Sequence, residues 1–255
     1  MTRTRILFLA ALVAVALVLP PWVARPRAAS AFVQAFSNHL VVSGSPTVAL
    51  TGVTAGNTLV FCVYMQSNNR TLDSMSGGSN SYSETVARTI NTGSNHAMTM
   101  WRAFNVSGGD YTVTLTMSAS STYSIGVVEL SGVTTTDPLD SAPAGEVAEP
   151  GQTLDVGPTA TLAQANEILV GCGGGSVSSR PFNAMSGWTN RVDLTNPYLA
   201  MWTKTVSATT AQSLPLDTAP NTQFIIGNLA SFTDAGGGGG GGSAPRLGLL
   251  GVGGA

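Results

Sequence analysis

Metal-binding or acid–base chemistry in this chain would have to be built from two cysteines, two histidines and 13 carboxylates in 255 residues. Cys62 and Cys172 stand 110 residues apart with no third ligand near either, a poor zinc site. In an exported chain an even cysteine count suggests a disulfide. The alternative is a pair of buried thiols acting as small apolar groups. A Ser-His-Asp triad needs a base beside an activated serine. No G-x-S-x-G elbow is present; Ser176 follows three glycines, but Ser178 stands where the elbow requires glycine. His39 and His96 are the only bases of that kind, and His96, in the polar run Asn91–His96, reads as a solvated loop residue. The glycine runs lack the following lysine and helix pattern of a phosphate cradle.

A glycosidase needs two carboxylates about 5–10 Å apart across one sugar. The candidates are Glu84, Glu129, Asp137 and Asp140. Glu129 lies inside an apolar strand, where a satisfied polar group bonded to a neighbouring strand or to Arg102 explains it better than catalysis. Asp137 and Asp140 are weak calcium candidates, because calcium takes 6–8 oxygens. No catalytic residue is assigned and no cofactor is expected. Binding surfaces remain. Trp188 lies just past a turn with Tyr198 nearby, and exposed aromatics can stack on sugars. The competing reading folds Trp188 over the edge of a sandwich. Asn69-Arg70-Thr71 and Asn105-Val106-Ser107 match glycosylation sequons, a pattern that recurs by chance.

The elements that would position these residues are strands. Charged residues make up 9% of the chain, against about a quarter in an ordinary soluble protein. Exposed helices need Glu, Lys and Arg on their outer faces, so few are expected. The net charge of −2, without a basic cluster, excludes a nucleic-acid partner. Tyr111, Val113, Leu115 and Met117 alternate with Thr112, Thr114, Thr116 and Ser118, the period of a half-buried strand. Residues 58–65, 124–130, 167–172 and 224–229 are mostly apolar without alternation and read as more completely buried strands. Ser76–Asn80 and Ser107–Asp110 are turn clusters.

Arg3 and Arg5, the 14 apolar residues Ile6–Leu19, the Pro20-Pro21 break and the A-x-A site at Ala29-Ser30-Ala31 read as a signal peptide over 1–31. Its removal takes four of the 11 basic residues, leaving seven against 13 acidic residues and a charge near −6. The mature chain then has no membrane span and is secreted or held at the cell surface, with a surface glycan or another extracellular protein as the partner to expect. At the other end, residues 235–255 open on seven glycines, a flexible tether.

Between these ends the chain repeats itself. Gly56–Cys62 aligns with Asn166–Cys172, and Met75-Ser76-Gly77 with Met185-Ser186-Gly187, at an offset of 110. Met100-Trp101 aligns with Met201-Trp202 at 101, and Val127–Val133 with Ile226–Phe232 at 99, which pairs Glu129 with Asn228. The copies span about 39–133 and 149–233, with Thr134–Pro150 between them as an exposed connector. Either each copy closes its own small sandwich, or the copies are halves of one domain over 32–234. Strands apolar on both faces need partner layers, which favours one domain. The expected fold is all-β: a two-sheet antiparallel, jelly-roll-like sandwich of two related halves, preceded by a signal helix.

The segments Gly56–Val63, Met75–Ser83, Thr99–Phe104, Tyr111–Met117, Glu129–Val133, Pro138-Leu139-Asp140 and Asn166–Gly171 resemble, in order, a mostly uncharacterised family of secreted bacterial β-sandwich domains with an internal duplication. The resemblance covers about residues 39–233 and implies the fold and export. It implies no catalytic residue, and the paired cysteines and glycine tail lie outside its pattern. Together these readings point to a non-enzymatic structural or adhesive module. The alternatives are a carbohydrate-binding module using Trp188 and Tyr198, or a glycoside hydrolase-like enzyme.

Overall fold

The structure is a computed structural model that describes residues 29–150, 153–175, 182–195, 198–218 and 224–236. The signal helix, most of the glycine tail and Ser176 lie outside the described residues. The described chain is all-β and its sheets are antiparallel, as the sequence predicts.

The first half winds through β1 (Ala31–Ser43), β2 (Thr47–Val53), β3 (Thr58–Met65), β4 (Leu72–Ser76), β5 (Ser83–Asn91), β6 (His96–Ala103), β7 (Gly109–Met117) and β8 (Ser121–Ser131). One sheet has the order β1-β8-β3-β6-β5 and a smaller one the order β2-β7-β4. That winding is jelly-roll-like. The second half repeats it with β9 (Leu139–Ser141), β10 (Glu146–Ala148), β11 (Leu154–Val156), β12 (Ile168–Gly175), β13 (Thr189–Thr195), β14 (Tyr198–Thr205), β15 (Leu214–Leu216) and β16 (Ile225–Phe232). Its large sheet runs β10-β16-β12-β14-β13, with β9 also on β16, and β11 pairs with β15 outside it.

The sandwich therefore has more layers than its expected two sheets. The two large sheets pack face to face, and each carries a small sheet on its outer face. Strand parity shows this directly. Leu59, Phe61, Val63 and Met65 of β3 enter a core shared with β2, β4 and β7, while Val60, Cys62 and Tyr64 enter a central core shared with β12, β14 and β16. Leu169 of β12 and Trp202 of β14 face a third core closed by β11 and β15. Successive side chains point to opposite faces of a strand, so a strand covered on both sides is buried at every position. All eight residues of β3, of β12 and of β16 are buried. The outer strand β2 alternates buried and exposed positions over most of its length, because only one of its faces is covered. Each copy builds its own pair of sheets, and the copies share the central core.

Two boundaries shift from the sequence reading. Residues 139–148 are not an exposed connector: β9 and β10 pair with β16, in the place that β1 takes on β8. Two three-residue strands broken at Pro143 and Gly145 are too short to show a period, which is why the pattern hides them. Ser30 and Ala31, assigned to the leader, belong to the fold. Ser30 is buried and its N–H donates to Asp234 Oδ2 at 2.6 Å, while Ala31 pairs with Ser131.

The halves meet as two copies would around a two-fold axis. β1 lies against β13 and β5 against β10; β8 lies against β14 and β6 against β16. Each contact recurs with the roles exchanged, as in an isologous interface. On such an axis equivalent residues face each other, and a duplicated chain, unlike a homodimer, can make them different. Tyr64 and Gly174 share the repeat offset of 110, and any side-chain carbon at Gly174 would run into the Tyr64 ring. The Tyr64 hydroxyl donates to Gly175 O at 2.8 Å, fixing the ring over this hollow. Gly174→Val is expected to cost about 2 kcal/mol by overpacking. Urea denaturation checks it, and combination with Tyr64→Ala should cost less than the two changes summed.

Candidate functional site

Cys62 and Cys172 are bonded to each other, with their Cα atoms 6.6 Å apart. The registers show why they meet. Cys62 pairs with Met100 on β6, and Cys172 with Met201 on β14, so both occupy the same position in their sheets and point into the central core.

The two aromatics expected to offer a binding face do not. Trp188 is 8% exposed and Tyr198 1% exposed, and both belong to the core of the second half. The Tyr198 hydroxyl accepts the Phe182 N–H at 2.9 Å, and its ring packs on Phe182 with centroids 5.3 Å apart. Lys204 reaches over the Trp188 ring, 5.7 Å from its centroid. The turn before Trp188 folds it inward, over the open end of its sandwich, where a large apolar ring gains most by burial. His96 is likewise no solvated loop residue. It opens β6, stacks on Tyr64 with centroids 5.3 Å apart, and burial holds its pKa below the ordinary value.

The carboxylates are fastened. Glu129 is fully buried and accepts from Gln34 Nε2 at 2.6 Å, Thr54 N–H at 2.9 Å and Asn57 Nδ2 at 2.6 Å. Arg102 does not pair with it; it forms an ion pair with Asp137 at 2.9 Å. Glu84 accepts from Thr99 Oγ1 at 3.1 Å. It stands on β5, with β6 and β3 between it and Glu129 on β8, a spacing of roughly 14 Å or more at about 4.8 Å per strand. No glycosidase pair can be made from these two. Asp140 Oδ2 accepts the Ala163 N–H at 3.2 Å. Among the described residues no three His, Cys, Asp or Glu side chains gather as a metal site would require.

The register also corrects the partner of Glu129. Leu59 pairs with Glu129 in the first half, and its equivalent Leu169 pairs with Ser231. Ser231, not Asn228, is the counterpart, and a shift of three residues turns a side chain to the other face. Asn57 is equivalent to Glu167, which lies against Ser231. The first half thus buries an acceptor at Glu129 with its donor on Asn57, and the second exchanges the two. Burial and the neighbouring Asp140 push the Glu167 pKa up to about 7, although a hydrogen bond from Gln164 N–H at 3.2 Å opposes the shift.

One cleft stands apart from these closed sites. It has a volume of about 460 Å³ at the end of the first sandwich, lined by Ser79, Asn80, Ser81, Phe104, Asn105, Val106, Ser107 and Thr135. Its walls are the β4–β5 turn, the β6–β7 loop and the chain after β8. Asn80 ties the first two together: its Oδ1 accepts the Ser107 N–H at 2.7 Å and its Nδ2 donates to the Tyr111 hydroxyl at 3.0 Å. Ser107 Oγ also donates to Gly78 O. Ser79 and Asn105 hold left-handed backbone, φ 55° and 50°, a conformation that non-glycine residues adopt only where surroundings enforce it. The sequence marks this region as two turn clusters and the sequon match Asn105-Val106-Ser107; the strand winding brings them to one end. Comparison of the chain with protein families, curated proteins and solved structures finds no match.

Proposed function

We propose that this chain is an exported structural or adhesive module, working outside the cytosol by holding a partner. The observation that carries this reading is the Cys62–Cys172 bond at the centre of the shared core. Such bonds persist in oxidising compartments and are rare in the cytosol. The N-terminal pattern of arginines, apolar run and small residues supports the same destination, as does the resemblance to secreted β-sandwich domains. The design of the sandwich suits a load-holding part. Gln34 and Asn38 of the edge strand β1 donate to the carbonyls of Thr47, Thr51 and Gly52, fastening the sheet edge on β2. Arg191 of the second half sits 3.9 Å over the Phe32 ring of the first, a cation–π contact across the halves.

Fractionation of the native host, followed by non-reducing mass spectrometry, tests the reading. The expected result is protein in the envelope or medium with its N-terminal segment removed and its mass two hydrogens below the dithiol form. Recovery of a full-length, reduced chain in the cytosol would sink the proposal.

A further inference from the structure

We infer that the cleft between the β4–β5 turn and the β6–β7 loop binds a neutral saccharide, the contact through which the module holds its partner; this inference rests on the export reading above. The lining decides the ligand class. It carries amide and hydroxyl groups, one aromatic ring and no formal charge. Phosphate, sulfate or carboxylate ligands are held most strongly by cationic side chains, which this lining lacks. A neutral sugar presents hydroxyls to amides and hydroxyls, and apolar C–H faces to a ring.

The cleft has the two properties that a binding site of this kind needs. Its shape is preset, because both arms of Asn80 and the Ser107 hydroxyl are already spent on joining the walls. A preformed site loses less entropy when it binds. Its rim is uncommitted: the side chains of Ser79, Ser81, Asn105 and Thr135 make no hydrogen bond to another described residue. Phe104 is half-buried and lines the cleft. The volume of about 460 Å³ falls in the range of small-molecule sites, 300–1,000 Å³, and admits the end of a glycan, not a folded protein. The second half is built differently here: the position equivalent to Gly78 at the wall is Trp188, its indole turned into the core.

The test is a binding screen of the oxidised mature chain against neutral oligosaccharides of glucose, galactose, mannose and N-acetylglucosamine, with sulfated and uronic-acid glycans alongside. At least one neutral probe should bind. Phe104→Ala and Asn105→Gly, the second keeping the left-handed backbone, should each weaken that binding about tenfold while the chain still melts in one cooperative transition. Asn69→Ala, in a distant exposed turn, should bind as wild type does. Three outcomes would overturn the inference: no neutral probe bound at millimolar concentration, binding confined to charged glycans, or binding unaffected in both cleft variants. An exported, oxidised protein that binds no sugar removes this inference and leaves the export reading standing. A reduced cytosolic protein removes the export reading.

Discussion

Replacing both Cys62 and Cys172 with alanine is expected to lower the stability of the oxidised protein by about 4 kcal/mol. The bond closes a loop with a sequence separation of 110, long enough for a large loss of freedom in the unfolded chain. The chain-entropy account gives about 4.7 kcal/mol for a loop near that length, and measured values center on about 2–4. Here the crosslink does a second job. It ties equivalent strands of the two halves at the middle of the core that joins them, where packing and contacts such as Tyr64–Gly175, Thr89–Asn228 and Arg191–Phe32 otherwise hold the halves together. Urea denaturation should show an earlier midpoint for the double variant. Wild type reduced under denaturing conditions and refolded with reductant should unfold at nearly that same midpoint. If the double variant and oxidised wild type share a midpoint, the bond contributes nothing to stability.

The second large effect is a dependence on pH. Glu167 is fully buried in the folded protein and its pKa stands at about 7, against an ordinary value of 4.5. The folded state holds this proton more tightly than the unfolded state. Stability is therefore fully present below pH 4.5, falls as pH rises toward 7, and levels off above it. A shift of this size corresponds to about 3 kcal/mol, with burial the largest cause and Asp140 adding repulsion. Glu167→Gln keeps the shape and removes the ionisation, so at pH 8 it should be more stable than wild type by up to about 3 kcal/mol. Below pH 4.5 the two should differ little. Urea titrations at pH 4.5, 6 and 8 read this directly. A Gln variant with the same pH profile as wild type would refute the assignment.

The candidate cleft was the least legible part of the molecule. Its residues are serines, asparagines, a threonine, a valine and a phenylalanine in two turn regions and a linker, with no spacing that marks all of them as a set. Trp188 is ambiguous in the sequence because a tryptophan beside a turn has two fates, and the residues around it do not choose between them. The counterpart of Glu129 is hidden for a related reason. The segments Val127–Val133 and Ile226–Phe232 are mostly apolar, and the second offers two polar residues, Asn228 and Ser231, against Glu129, so more than one alignment fits. Only the ladder to β3 and β12 sets the register.

What the sequence determined by itself was local. Alternation of period two marks the outer strands, unbroken apolar runs mark strands covered on both faces, and the repeated segments announce two related halves. These properties are written within a strand's own length, because the pleat assigns each residue to a face. The layering, the meeting of Cys62 with Cys172, the exchange of Asn57 and Glu129 for Glu167 and Ser231, and the cleft at the end of the first sandwich were decided by the tertiary structure. Each depends on which segments distant in the chain come to lie opposite one another, and pairing of that kind is set by the packing of whole sheets.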